Sequence, residues 1–211
     1  MSAFTALSYT PEQALARLKS GNLDFMHGTA IPPCPNAQER LSFVSNQHPF
    51  AIILGCSDAR VPAEMVFNQG LGDLFVIRVA GNIVAASQLA SIEFAIQEFN
   101  VPLVIVLGHS HCGAIHASLQ ALYAGEAKTA SGNLMSIVKR ILPTLSMVTS
   151  DEIKYQPEKI ERVAVKANVY AAVQHVRYGS AFLTERVDQQ QLMVVGAQYH
   201  LETGEVEFYQ F

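Results

Sequence analysis

Two short segments of the sequence carry closely spaced cysteine and histidine side chains. The segment LGHSHCGA contains His109, His111 and Cys112, and the segment CSDAR begins with Cys56. Thiolates and imidazoles favour zinc over magnesium or calcium. The HxxC spacing lets two side chains reach one ion across a strand-to-helix turn, whereas adjacent His111 and Cys112 should diverge. We therefore predict a zinc site formed by His109 and Cys112, with Cys56 as the third ligand.

The elements that position these residues alternate short apolar runs with helical patterns. Strands are predicted over 51–55, 73–80 and 103–108, and helices over 87–99 and from about Cys112. Alternation of this kind predicts an α/β fold in which a mainly parallel central β-sheet is flanked by helices on both faces.

The predicted ligands directly follow two of these strands. Open α/β sheets place their binding sites at the carboxyl ends of the strands, so Cys56 and the HxxC pair are expected at one site. Asp58 is the natural candidate for a fourth ligand. Three protein ligands with an open position are typical of catalytic zinc, whereas four are typical of structural zinc.

The amino-terminal part is predicted to form a helical arm over residues 1–46. Thr10 followed by Pro11 is typical of a helix start, and we expect this helix to end at about Gly21. The proline-rich segment IPPCPN is predicted to be extended, and NAQERLSFVSN predicts a second short helix. Cys34 falls in this extended loop, and we assign it no role.

The carboxyl-terminal part is predicted to be helical and then to return to the sheet. Residues 131–178 show a helical pattern with a break between Pro143 and Pro157. The final segment QLMVVGAQYHLETGEVEFYQ predicts a strand and a hairpin partner. Because there is no internal repeat or linker, we expect a single domain over 1–211, with the α/β core at 47–211.

Composition argues against several classes of protein. Charged residues make up 15% of the chain, against roughly a quarter in an average soluble protein, which indicates surface buried against another subunit. The formal charge is −4 and no basic run occurs, so nucleic acid is not an expected partner. The apolar runs fall short of the roughly 20 residues of a membrane span, and no signal segment is visible, so we expect no membrane and a cytoplasmic location.

Four motifs carry a family resemblance, namely CSDARVPAE, GLGDLFVIRVAGN, SIEFA and LGHSHCGA in this order. Together they resemble the β-class carbonic anhydrases, and the CxDxR plus HxxC combination is highly specific. The resemblance implies that zinc is bound by Cys56, His109 and Cys112. It also implies that Asp58 and Arg60 form the family's catalytic dyad.

The resemblance further implies a substrate pocket that is shared between subunits. Gln47, Phe75, Phe94 and Gly113 match residues that line this pocket, part of which comes from the partner subunit. Phe94 stands where many relatives have tyrosine. The implied partners are carbon dioxide, bicarbonate and further copies of the chain in a homodimer or larger homo-oligomer.

The implied reaction is the zinc-dependent, reversible hydration of carbon dioxide to bicarbonate and a proton. Zinc lowers the pKa of bound water from about 15.7 to about 7, which makes hydroxide available for attack on the carbon. Asp58 then either binds zinc as a fourth ligand and closes the site, or pairs with Arg60 and leaves the position open. In the open state, Asp58 accepts a hydrogen bond from the zinc-bound hydroxide.

A regulatory pocket of some relatives is expected to be incomplete in this chain. In those relatives bicarbonate occupies a pocket that resembles a Trp, Arg and Tyr trio, and the aspartate becomes the fourth zinc ligand. Arg78 matches the arginine, but Ile53 stands at the tryptophan position and the chain has no Trp. We therefore expect Asp58 to favour Arg60 near neutral pH.

Other functions stay open at this point. A nucleophilic Cys56 assisted by His109 would make a thiol hydrolase that contains no metal. A structural zinc would make a non-catalytic zinc-binding module that unfolds on chelation. The closest alternative is hydrolysis of carbonyl sulfide or carbon disulfide on the same scaffold. His111 could be a proton shuttle or a solvated or core-capping histidine, because an imidazole can take up and release a proton near neutral pH.

Overall fold

A mainly parallel sheet forms the centre of the fold. The computed structural model describes residues 9–31, 35–124, 131–148 and 156–209. Within these ranges the strands are β1 (Ala51–Gly55), β2 (Leu74–Arg78), β3 (Leu103–His109), β4 (Met193–Tyr199) and β5 (Val206–Phe208). Their order in the sheet is β2-β1-β3-β4-β5, and all neighbours run parallel except β4 and β5, which are antiparallel. The predicted α/β class and the terminal hairpin are confirmed.

Helices pack against both faces of this sheet. They are α1 (Pro11–Met26), α2 (Ala37–Ser42), α3 (Ala63–Val66), α4 (Ala86–Phe99), α5 (Gly113–Ala124), α6 (Gly132–Val148), α7 (Pro157–Tyr178) and α8 (Ala181–Asp188), with a 3₁₀ turn at Ala80–Asn82. The first two helices form the predicted amino-terminal arm. The Thr10 cap of α1 and the Asn36 cap of α2 each complete a capping box.

The two faces of the sheet carry two separate apolar clusters. Ile52 and Leu54 on β1 join a cluster with α4, α5, α6 and α7, whereas Ile53 between them joins a cluster with α1 and α3. Side chains alternate in this way because successive residues of a strand point to opposite faces. Every residue of β1 and β3 is buried, as expected for strands covered on both sides.

Helix α1 is longer than predicted, because Gly21 does not end it. The helix continues to Met26, and Gly21 lies where α1 approaches the short helix α3. A Cβ atom at Gly21 would lie 1.9 Å from the carbonyl oxygen of Phe67. The glycine is therefore required for close packing rather than for helix termination.

Two further predictions about secondary structure were wrong in part, and one helix was missed. Helix α6 passes through Pro143 and ends at Val148, because its buried residues on either side of the proline hold it against the core. Strand β2 ends at Arg78, since the chain turns into the 3₁₀ segment. Helix α8, capped by the Ser180 side chain, was not predicted. Residues 149–155, within the predicted break, and Cys34 lie outside the described ranges.

None of the helices in the described ranges is both long and apolar enough to cross a membrane. The organisation as a single domain over 1–211, and the cytoplasmic location, stay predictions of the sequence.

The close approach at Gly21 yields a prediction about stability. We expect Gly21→Ala to lower the free energy of unfolding by about 1–3 kcal/mol, because the added methyl group meets backbone that cannot move aside. Urea denaturation followed by circular dichroism measures this change. The control is Gly132→Ala, where a Cβ meets no heavy atom within 4 Å. Equal stability of Gly21→Ala and the unmodified chain would contradict the prediction.

Candidate metal centre

The carboxyl ends of β1 and β3 bring the candidate metal ligands together. Gly55 pairs with Leu107 in the parallel register, so Cys56 and His109 leave the sheet at the same edge. Cys112 follows on the turn into α5. The two Sγ atoms and a ring nitrogen of His109 lie within 4.8 Å of one another, and all three side chains are buried. No other His, Cys, Asp or Glu of the described residues joins this group.

The imidazole of His109 presents Nε2 as the free ligand atom. Nδ1 lies 2.8 Å from the carbonyl oxygen of Ser110, and because a carbonyl only accepts, Nδ1 carries the proton. Nε2 is buried and has no hydrogen-bond partner among the described residues. An unpartnered buried nitrogen is costly, and a metal ion beside the two sulfurs would satisfy it. This donor set therefore fits a zinc ion.

The pKa values of the two cysteines are shifted in opposite directions by the contact between their side chains. A hydrogen bond from the Cys112 thiol lowers the pKa of Cys56 to about 4. The same interaction, together with burial, raises the pKa of Cys112. Neither cysteine is in a disulfide. A divalent cation that displaces the remaining thiol proton would bind two thiolates and one imidazole, a ligand set that zinc favours.

Asp58 is held by Arg60 rather than by the group of metal ligands. The guanidinium donates from Nε to Oδ1 (2.9 Å) and from Nη2 to Oδ2 (2.7 Å), and the Arg60 backbone N–H donates to Oδ1 (3.0 Å). These hydrogen bonds hold the pKa of Asp58 well below its usual range. Both carboxylate oxygens of Asp58 are thus engaged by Arg60, and the aspartate is not part of the group formed by Cys56, His109 and Cys112.

Arg78 holds the backbone beside these residues. Its Nε donates to the carbonyl oxygen of Cys56 at 2.9 Å, and its Nη2 donates to the carbonyl oxygen of Asp58. Ile53, at the position matched to tryptophan, is fully buried in the core next to α1. Arg78, the arginine of the expected regulatory pocket, is thus hydrogen-bonded to backbone carbonyl groups. Ile53, at the tryptophan position of that pocket, is buried away from solvent.

His111 lies outside the group of metal ligands. Its Nε2 is 2.6 Å from Glu202 Oε1, its Nδ1 is 3.6 Å from Glu161 Oε2, and its side chain is 61% exposed. Its φ of 54° is in the left-handed region, which is uncommon for a residue other than glycine.

The residues matched to the substrate pocket are divided between two ends of the sheet. Gly113 is the first residue of α5 and lies beside Cys112. Phe75 contacts Phe94 with ring centroids 6.2 Å apart, but Phe75 pairs with Ile52, about 13 Å along β1 from Cys56. Gln47 precedes β1 and lines a different cleft with Phe99 and Asn100. Within one chain, the structure does not bring Gln47 to the metal ligands.

The sequence did not predict two polar groups outside the ligand set that form hydrogen bonds at the site. The Gly81 N–H donates to Cys56 Sγ, and Asn168 on α7 donates to the Gly81 carbonyl. Gly81 lies within the motif GLGDLFVIRVAGN. This motif indicated the protein family, but it did not predict the hydrogen bond to Cys56 Sγ. Asn168 lies 87 residues away on a helix with no motif, so no signal in the sequence linked it to the site.

Comparisons with known proteins agree with this architecture. A family model described as carbonic anhydrase matches residues 51–206. Carbonic anhydrase 2 of Mycobacterium tuberculosis is 36% identical over 194 residues, which cover 92% of this chain and 90% of that protein. The carbonic anhydrase of Mycolicibacterium smegmatis is 37% identical over 205 residues, with coverage of 93% and 92%. The solved β-carbonic anhydrase CcaA superposes with a TM-score of 0.72 at 27% identity, over 93% of this chain and 87% of that one.

Fold and site therefore define an α/β enzyme with a buried cysteine and histidine cluster at the carboxyl edge of a parallel sheet. The chain belongs to the β-class carbonic anhydrase family, and the resemblance found in its motifs is confirmed.

The geometry of the cluster yields a prediction about metal binding. We expect one zinc per chain, and we expect Cys56→Ala, His109→Ala and Cys112→Ala each to lose it, because two ligands hold the ion poorly. Elemental analysis of the purified variants measures the metal content. The matched control is His111→Ala, which should keep the metal. A His111→Ala chain without zinc, beside a His109→Ala chain that retains it, would overturn the assignment.

Proposed function

We propose that this chain catalyses the zinc-dependent, reversible hydration of carbon dioxide to bicarbonate and a proton. The observation that carries the proposal is the pairing of Asp58 with Arg60 beside three buried ligand atoms, because it leaves one metal position free for chemistry. Membership of the carbonic anhydrase family supports the same reaction. When bound, zinc would lower the pKa of a coordinated water to about 7 and so supply the nucleophile.

Asp58 would orient that nucleophile. An ionised carboxylate only accepts hydrogen bonds, so it would accept a hydrogen bond from the nucleophile, which keeps its proton, and direct a lone pair of the nucleophile toward carbon dioxide. Arg60 keeps the carboxylate ionised and fixes both of its oxygens. Because the pKa of Asp58 is depressed, the carboxylate stays charged at and above its ordinary pKa of about 3.9, and this interaction is lost only as the pH falls through the lowered value.

The rival functions make different demands on the site. A purely structural zinc would usually have four protein ligands, whereas Asp58 is bound elsewhere in this structure. A thiol hydrolase would use the low pKa of Cys56 and need no metal. Hydrolysis of carbonyl sulfide or carbon disulfide would use the same metal centre. Only an assay with each substrate distinguishes this reaction from the hydration of carbon dioxide.

A stopped-flow hydration assay on the zinc-loaded and the chelated chain tests the proposed function. We expect rapid proton release from carbon dioxide with zinc and none after chelation, with restoration on adding zinc back. Carbonyl sulfide and carbon disulfide are offered in parallel. A zinc-loaded chain that hydrates no carbon dioxide, or that turns over only the sulfur compounds, would refute the proposal.

The dyad yields a prediction about catalysis. We expect Asp58→Asn and Arg60→Ala each to lower kcat/KM by about 100-fold or more, since each removes a partner that orients the nucleophile. Zinc content should be unchanged. The matched control is Asp73→Asn, which breaks the Arg17–Asp73 ion pair (2.8 Å) at the opposite edge of the sheet. Near-normal turnover in both dyad variants would exclude the role.

We propose that the active form is a homodimer or a larger homo-oligomer. The low charge content supports it, as do the apolar residues Ile31 and Val44 of the arm region, which are 83% and 79% exposed. Gln47 supports it too, because in its own chain it precedes β1 and lines a cleft with Phe99 and Asn100 rather than with the candidate ligands. Light scattering at micromolar concentration should give at least a dimer, and a fully active monomer would contradict it.

A hybrid assembly tests whether Gln47 serves the partner's site. We expect Gln47→Ala and Asp58→Asn chains each to be weakly active alone. When the two are co-assembled, a site with the ligands and Asp58 of one chain receives Gln47 from the other, so activity should rise above that of either variant. Activity equal to the average of the two would place Gln47 outside the partner's pocket.

A further inference from the structure

A buried asparagine in an apolar face of α7 reaches the loop beside Cys56. Asn168 is 5% exposed and lies between Val165 and Ala172, both members of the larger apolar cluster. A buried amide is costly unless it is hydrogen-bonded. Its Nδ2 donates to the carbonyl oxygen of Gly81 at 2.9 Å and lies 3.5 Å from Asn82 Oδ1. The asparagine is thus directed at the 3₁₀ turn that follows β2.

Gly81 directs its own N–H at the Cys56 sulfur. The nitrogen lies 3.4 Å from Sγ, within the range of an N–H to sulfur hydrogen bond. The residue has a φ of 70°, which favours glycine, and a Cβ there would lie 2.9 Å from Ile141 Cδ1 and 3.0 Å from Ala114 Cβ. With the Ile141 and Ala114 side chains close to its Cα and its carbonyl held by Asn168, the Gly81 N–H has little freedom to turn away.

We propose that Asn168 is a positioning residue that holds the Gly81 N–H on the Cys56 sulfur and so sets the strength of that sulfur as a metal ligand. The inference rests on the proposed zinc site. A hydrogen bond to a thiolate withdraws negative charge from the sulfur, so more positive charge stays on the bound metal. Partners of this kind outside the ligand set typically change metal affinity by about 10–100-fold.

A matched pair of variants separates this role from a merely structural one. Asn168→Leu removes the amide donor at similar volume. Asn22→Leu does the same at a second buried asparagine, whose Nδ2 donates to the carbonyls of Val66 (3.1 Å) and Gly204 (2.9 Å) on the other face of the sheet. Both variants lose buried hydrogen bonds, but only Asn168 is linked to a metal ligand.

The probe is Co²⁺ in place of zinc, because its sulfur-to-metal charge-transfer band reports on the thiolate itself. We expect this band to move to longer wavelength in Asn168→Leu, since a sulfur without its hydrogen bond gives up charge more readily. Asn22→Leu should match the unmodified chain. Zinc affinity, measured by competition with a chelator, should change about 10-fold or more in Asn168→Leu and stay unchanged in Asn22→Leu.

An unchanged cobalt band in Asn168→Leu, or an equal shift in Asn22→Leu, would overturn the inference while leaving the zinc site intact. An unmodified chain that binds neither cobalt nor zinc would overturn the proposed function, and this inference with it. Should Asn168→Leu not fold, Asn168→Ala takes its place, and both it and the unmodified chain are loaded with a spin-active cadmium isotope for NMR. Scalar coupling between cadmium and the Gly81 amide proton that weakens in Asn168→Ala supports the inference, and equal coupling in the two chains, or none in the unmodified chain, refutes it.

Discussion

The parallel pairing of β1 with β3 is the constraint on which the rest of the site depends. With Gly55 opposite Leu107, the residues that leave the two strands arrive at one edge of the sheet. A slip of one residue would turn every side chain of a strand to the other face. Both strands are buried on both faces, so the packing of two apolar clusters fixes the register. The packing of the core therefore determines the spacing of the candidate metal ligands.

The proposed chemistry depends on whether Asp58 is bound by the Arg60 guanidinium or by the metal ion. The Arg60 guanidinium offers a planar pair of donors that matches both carboxylate oxygens, and its backbone N–H adds a third contact. A metal beside the two sulfurs would compete for the same carboxylate. In the structure the arginine holds it, although 55% of the Arg60 side chain is exposed, and such an exposed pair is ordinarily worth under ~1 kcal/mol. The pair therefore adds little to the stability of the fold, and in the function that we propose its role is to place a carboxylate.

The backbone of the site is held by polar side chains from other parts of the chain. Arg78 on β2 binds two carbonyl groups of the segment that carries Cys56, and Asn168 on α7 binds the turn that contacts its sulfur. On the other side, the Ser110 N–H donates to β4 and its hydroxyl accepts from Leu201 N–H. Each contact offsets the cost of burying a polar group near the ligands. Together they explain how a site built on turns keeps a fixed geometry.

The sequence by itself determined the fold class and the candidate ligands. Short apolar runs separated by helical patterns leave few arrangements other than a covered parallel sheet, and the HxxC spacing after a strand selects His109 and Cys112 as neighbours. Local signals misled where a residue serves a distant contact: Gly21 continues a helix because another backbone needs the space, and α6 continues through Pro143 because its apolar face is buried. Only the tertiary structure decided that Arg60 holds Asp58, and that Asn168 reaches the turn beside the site. Those outcomes depend on distances between segments far apart in the chain, and spacing along the sequence carries no measure of such distances.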